Sequence, residues 1–402
     1  MRIATANAYD ASLESLMNRQ VKLSDTQEQM TTGKRVNHAS DDPAAAARAA
    51  RAVAASARST ANQRAVDASN NAMTLTESAL GDANDLLQSA RDAMVAAGNA
   101  SYGDSERKSL AASLSDIRSQ LLSIANRTDG AGTYLFGGQS SASAPFVDTS
   151  GGVQYAGSAG QTQAASGEQL PLTIDGAAAW MTARTGNGTF TTQATTSTGS
   201  AWIDAGHVDN PSLVTGNSYA IKFSVSGGAT TYSVYSPANA ATPMTGQTNL
   251  AFKAPQAIQV DGLSATIAGT PANGDEFQMQ PSTPTLSVFD ALDQAITNLQ
   301  TPNKTSTQVT QDNTTSLTSI DSALGQLQST RSAVGATLTR IDGVTDRLSA
   351  LKLSSETERS NAEDLDMTQA ISDFSNQQTG YDAALKAYSL VQKLSLFNYI
   401  GS

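Results

Sequence analysis

The chain has no cysteine and only two histidines, His38 and His207. The first absence excludes disulfides and thiolate metal sites. The second excludes the His-Glu-x-x-His pattern that places two metal ligands on one helical face. Aromatic residues make up 5% of the 402 positions and charged residues 15%, with a formal net charge of −11. Phosphate backbones are bound by basic patches, so nucleic acid is not an expected partner. No apolar run reaches membrane-spanning length, and Arg2 is followed by a polar, mixed stretch instead of the apolar core of a secretory signal. The expectations are no membrane insertion, no metal and no cofactor. Cytosolic residence, or export without a cleavable signal, fits this beginning.

Proline and glycine are scarce outside one block. Nine of the eleven prolines and nineteen of the thirty glycines fall between positions 137 and 284. Inside that block Thr and Ser are dense and short alternating runs appear. Tyr219 to Val225 and Thr231 to Tyr235 are separated by Gly227-Gly228, and Ala257 to Val260 and Ser264 to Ile267 by Asp261-Gly262. Paired turn residues between alternating runs predict hairpins. Outside the block the periods are helical. Val66, Met73, Leu80, Leu87 and Met94 recur every seven residues, with Ser69, Thr76, Ala83, Ala90 and Ala97 three further on. That is a narrow seam for close helix approach. Leu110, Leu114, Ile117, Leu121 and Ile124 continue it after a turn at Gly98–Gly103, so 44–97 and 104–128 read as an antiparallel helical pair. Val288, Leu292, Ile296 and Leu299 form a short helix ended by Pro302, and Leu317 to Leu348 keep a four-three rhythm.

Both ends carry heptad stripes: Tyr9, Leu16, Leu23 and Met30, then Met367, Ile371, Phe374, Gln378, Tyr381, Leu385, Tyr388 and Gln392. The fold class is therefore α+β and multidomain: a long antiparallel helical bundle or coiled coil made of N- and C-terminal segments, with an inserted β-rich domain. The expected divisions are a terminal assembly helix over 1–40, half of a helical rod over 41–136, the β-rich domain over 137–284, the other half-rod over 285–360 and a second assembly helix over 361–402. Two terminal helices bury little apolar surface by themselves relative to the entropy lost in ordering them. They are expected to gain order by packing against other subunits. Leu16, Leu23, Met30, Phe374, Tyr381, Leu385 and Tyr388 are the candidate assembly contacts.

No catalytic centre emerges. His207 lies near Asp204 and Asp209, but no Gly-x-Ser-x-Gly elbow accompanies them, and an ordinary loop histidine is the simpler reading. Asp41, Asp42 and Pro43 read as a helix cap instead of a carboxylate pair, because Pro in the first turn completes a start signal. Gly137-Gly138 and Gly151-Gly152 lack the Lys-Ser/Thr tail of a phosphate loop.

Several motifs carry a resemblance. Thr32-Gly33-Lys34-Arg35-Val36-Asn37 followed by Ser40-Asp41-Asp42-Pro43 resembles the N-terminal signature of the bacterial flagellin family, in the form found in its hook-associated members. Tyr134-Leu135-Phe136-Gly137-Gly138, Pro145-Phe146 and Val153-Gln154-Tyr155-Ala156-Gly157 are similar to the stretch where those members enter their β domain, and Pro271 to Phe277 with Ser287-Val288-Phe289 to its exit. Leu394-Ser395-Leu396-Phe397-Asn398-Tyr399-Ile400 is similar to their ending. The resemblance implies a non-enzymatic junction component between hook and filament, outside the cell. It implies as partners flagellin, a neighbouring hook-associated protein, further copies of the chain and an export chaperone near the C-terminus. Filament flagellin itself is the alternative, and a carbohydrate-binding or hydrolytic module in the β insertion a remoter one.

Overall fold

The computed structural model describes residues 2–400 apart from 100, 141 and 165–167, and for 2–9 and 391–400 it describes the backbone alone. In chain order the elements are α1 (Arg2–Thr32), α2 (Pro43–Ala97), α3 (Asp104–Ala125), β1 (Phe146–Thr149), β2 (Gly152–Tyr155), α4 (Gly176–Trp180), β3 (Phe190–Thr196), β4 (Trp202–Ile203), β5 (His207–Val208), β6 (Tyr219–Ser226), β7 (Ala229–Tyr235), β8 (Leu250–Ala251), β9 (Gln256–Val260), β10 (Leu263–Ala268), β11 (Glu276–Pro281), α5 (Val288–Gln300), α6 (Ser306–Glu363) and α7 (Met367–Ile400). Two compact units result: Met1–Arg64 with Val344–Ser402, and Ala65–Gly343. Their limits fall inside α2 and α6, not at the helix breaks near 40 and 360 where the sequence suggests domain edges. Gly and Pro mark where a helix ends, whereas compactness follows from which elements pack together.

In the second unit the seven-residue series on α2 is the buried face. Val66, Met73, Leu80, Leu87 and Met94 are at most 1% exposed, and so are Ser69, Thr76, Ala83, Ala90 and Ala97. Ion pairs tie α2 to α6 in reverse order, Glu77 with Arg331 (Nε 2.7 Å) and Arg91 with Asp321 (2.6 Å), so the two run antiparallel. After the turn at Gly98–Gly103, Arg127 just past α3 reaches back to Asp82 of α2 (2.8 Å), but the helix that α3 packs on is α5, not the α2 partner expected from the sequence. Arg118 of α3 gathers the neighbouring elements. It donates to Asp148 of β1 through both Nη atoms (2.7 and 2.9 Å) and to Asp293 of α5 (3.1 Å). The bond to Arg118 holds the Asp148 carboxyl below its usual range.

Among the described residues the β insertion contains two larger antiparallel sheets, β3-β11-β6-β7-β8 and β4-β10-β5, with β9 also paired to β10, and a two-stranded antiparallel sheet, β1-β2. Both predicted hairpins are present. Gly227 and Gly228 (φ 58° and 82°) join β6 to β7, and Asp261 and Gly262 (φ 45° and 77°) join β9 to β10. Positive φ at both central residues matches the right-handed twist of the strands. Period-two alternation sends Tyr219, Ile221 and Phe223 of β6, Phe277 and Met279 of β11, and Ile258, Ala265 and Ile267 of the second sheet into one core.

Asp275 anchors this core at the approach to β11. Its fully buried carboxylate accepts from Thr198 N (2.7 Å), Thr198 Oγ1 (2.9 Å), Ala272 N (2.8 Å) and Gly199 N (3.2 Å). Burial pushes the carboxyl upward, but these donors outweigh it and its pKa lies below the ordinary value. A depressed folded pKa gives stability that is complete above the unfolded value of about 3.9 and is lost as pH falls through the folded one. The melting temperature of the chain should therefore drop more steeply between about pH 4 and 2 than that of Asp275→Asn, which is already destabilised at neutral pH. Calorimetry on both proteins checks this, and parallel pH profiles would refute it.

Candidate assembly surface

The first unit is organised by two helix breaks. α1 ends at Gly33 (φ 71°), a left-handed position at a helix C-terminus that suits glycine. α2 begins at Pro43, with Asp42 Oδ1 accepting from Ala45 N at 2.9 Å. Asp42 is thus the N-cap, with proline at the first helical position. Asp41 folds the preceding loop instead, because its Oδ2 accepts from Asn37 N (3.0 Å) and His38 N (2.8 Å). Backbone donors lower both carboxyls, chiefly His38 N at Asp41 and Ala45 N at Asp42. The second break, between α6 and α7, docks on this loop. Arg35 N donates to Glu363 O (2.7 Å), Leu365 N to Gly33 O (3.0 Å), and Lys34 Nζ pairs with Glu363 Oε1 (3.3 Å).

Beyond the breaks α1 packs on α7. On α1 the covered or half-covered side chains include Leu16, Leu23, Thr26 and Met30; on α7 they are Ala370, Phe374, Gln377, Gly380, Tyr381, Ala384 and Tyr388. Thr26 Oγ1 donates to Gln377 Oε1 at 2.9 Å across the pair. Six of the seven candidate contacts, Leu16, Leu23, Met30, Phe374, Tyr381 and Tyr388, therefore lie on or beside the seam within the chain. The seventh, Leu385, is 42% exposed. The covered seam on α7 shares Phe374, Tyr381 and Tyr388 with the series expected from sequence, but its intermediate positions are Ala370, Gln377 and Ala384 instead of Ile371, Gln378 and Leu385. Small side chains let α1 approach closely, and the large ones are left facing out. The side chains of Tyr9, Gln392 and Leu394 to Ile400 lie outside the described residues.

A second apolar stripe follows from this. Leu13, Met17 and Val21 on α1, four residues apart and hence on one side, are exposed, as are Met367, Ile371 and Leu385 on α7; Leu390, also exposed, lies about 140° round α7 from Leu385. The four-residue spacing of the α1 set is visible in the sequence beside the seven-residue series, and would have found it.

Neither histidine enters a reactive arrangement among the described residues. His207 Nε2 meets Asp209 Oδ1 at 2.8 Å with its side chain 67% exposed, while Asp204 Oδ1 accepts from Thr266 N (2.8 Å) and Gly206 N (3.0 Å), which ties the turn between β4 and β5 to β10. Among the described residues no group of three His, Cys, Asp or Glu side chains could hold a metal ion, and no helix is long and apolar enough to cross a membrane.

Helices from both ends of the chain that pack as a pair, with a β domain inserted between them, define a class. Residues 3–141 match the model of the bacterial flagellin N-terminal helical region and residues 317–400 that of the bacterial flagellin C-terminal helical region. The chain belongs to the bacterial flagellin family. Within it, the chain is 38% identical over 152 residues to flagellar hook-associated protein 3 of Salmonella typhimurium, a match over 38% of this chain and 48% of that protein. It is 33% identical over 190 residues to flagellar hook-associated protein 3 of Escherichia coli, over 47% of this chain and 57% of that protein. The chain thus spans about half the length of the curated relatives it matches. Among solved structures, FlgL of Xanthomonas campestris is 30% identical with a TM-score of 0.67, covering 77% of this chain and 99% of that one. The flagellar junction protein FlgL of Legionella pneumophila is 28% identical with a TM-score of 0.64, covering 71% and 95%.

Proposed function

We propose that this chain is a structural, non-enzymatic junction component of the bacterial flagellum that links the hook side to the flagellin filament through its terminal helices. The observation that carries this is the apolar side chains left exposed beside the α1–α7 seam, Leu13, Met17 and Val21 on α1 and Ile371 and Leu385 on α7. An exposed apolar surface of this kind marks a protein contact. Copies of the chain would pack through these stripes into a ring. Flagellin would meet the ring on one side and another hook-associated protein on the other, with Leu16, Leu23, Met30, Phe374, Tyr381 and Tyr388 completing the contacts at the seam margins. The relatives' names support the junction role. Export to the extracellular flagellum belongs to the same proposal, and the C-terminal part of α7 is where an export chaperone would bind before assembly.

Electron microscopy of cells lacking the gene, with immunoblotting of the medium, tests the reading. Hooks should persist without filaments while flagellin accumulates in the medium. Normal filaments would overturn the proposal. Bare hooks with no flagellin in the medium would make the chain the filament protein instead.

A further inference from the structure

α6 ends at Glu363, and the carbonyls of a helix's last turn have no partner inside the helix. The opposing loop supplies partners here. Arg35 Nη2 donates to Ala362 O at 2.8 Å, and Arg35 N and Val36 N donate to Glu363 O at 2.7 and 3.4 Å. The same guanidinium reaches Asp42 Oδ2, on the N-cap of α2, through Nη1 at 3.2 Å. Arg35 O accepts from Gln29 Nε2 of α1 at 2.9 Å. One residue thus touches the end of α6, the start of α2 and the last turns of α1. Its charge suits the negative end of the α6 dipole. The backbone bonds across the two breaks would survive any side chain at this position, but the bridge from Ala362 O to Asp42 requires a planar fork with two donors in fixed relation.

We propose that Arg35 is the positioning residue of the assembly surface: within the first unit it locks the joint at which the α1–α7 pair meets the start of α2 and the end of α6, so that the docking stripe is presented in one orientation. The inference rests on the docking role of the α1–α7 pair. Arg35 is close to half exposed (45%), and exposed ion pairs contribute little to stability. Its loss is therefore expected in orientation, not in melting temperature.

The absence of native cysteine makes the test direct. Spin labels on exposed Gln20→Cys in α1 and Thr60→Cys in α2 of the full chain report the joint by pulsed dipolar spectroscopy. The parent should give one narrow distance distribution. In Arg35→Ala its width should grow about twofold, and in Arg35→Lys it should resemble Ala more than the parent, since one ammonium cannot reproduce the fork. Helix content and melting temperature should stay unchanged. Incorporation into flagella should fall about tenfold, because a broadened joint presents the docking stripe correctly in only a fraction of the copies. A distribution of parental width in both variants would overturn the proposal. Leu385→Asp, run alongside, separates the two readings. If it assembles normally, the docking role has failed. If it is blocked while Arg35→Ala assembles normally, the docking role stands and the positioning role of Arg35 falls.

Discussion

Replacing Leu385 by Asp should give a monomer of unchanged helix content that is at least about 100-fold depleted from assembled flagella. The size of the effect follows from where Leu385 lies. At 42% exposed, it stands outside the seam that holds α7 to α1, so a carboxylate there remains solvated in the free chain and costs it little. In an assembled subunit the same carboxylate would be desolvated without a partner, a penalty of several kcal/mol. At about 1.4 kcal/mol per tenfold, even about 3 kcal/mol at one contact exceeds a factor of about 100. Leu385→Ala removes only apolar area, about 1–2 kcal/mol, and should assemble at roughly a tenth of the normal level. Met17→Asp, 57% exposed on the other helix, should reproduce Leu385→Asp. Tyr381→Asp, half-buried in the seam, should differ by lowering helix content in the monomer as well. Quantitative immunoblotting of sheared flagella beside circular dichroism of each monomer reads all four. Wild-type incorporation of Leu385→Asp would remove the uncovered stripe from the contact surface.

The contrast between Leu385 and Tyr381 shows where sequence reading stops. Every-seventh positions were legible: the series Val66, Met73, Leu80, Leu87 and Met94 is buried throughout, and Phe374, Tyr381 and Tyr388 all lie along the α1–α7 seam. Between such positions a helix offers a step of three or of four, and each points to a different side. Large side chains favoured Ile371, Gln378 and Leu385; the partner helix took Ala370, Gln377 and Ala384, because close approach selects small residues. Both hairpins were legible because Gly227-Gly228 and Asp261-Gly262 are local signals. Arg35 was not. Its partners Ala362 and Asp42 lie 327 and seven positions away, and nothing in a loop of mixed polarity marks which cation will cap a distant helix. Asp275 belongs to the motif at the end of the β domain, but its four donors become visible only once β3 and β11 pair.

Phe136 and Phe146, both legible as members of motifs, meet around one side chain that no motif marks, and its removal should have the largest effect on stability. Trp180 is fully buried, edge-on to Phe136 at 5.4 Å and stacked on Phe289 at 5.8 Å, with Phe146 at 6.1 Å. It sits at the end of α4, whose N-terminus is capped by Asp175, against rings from β1 and α5. Trp180→Ala would leave a cavity in a cluster whose rings are held from separate elements, so collapse is restricted. The expected cost is about 3–5 kcal/mol. For a unit of this size that is roughly a 10 °C fall in melting temperature. Trp180→Phe should cost much less than the volume change alone predicts. The buried Trp180 Nε1 donates to no acceptor among the described residues, and removing an unpaired buried donor recovers about 1–3 kcal/mol. Thermal melts followed by circular dichroism distinguish the pair, with Trp202 remaining as an internal fluorescent reporter in both. If Phe were as damaging as Ala, Nε1 would have to be satisfied in solution, and the aromatic cluster would owe its stability to a hydrogen bond instead of to packing.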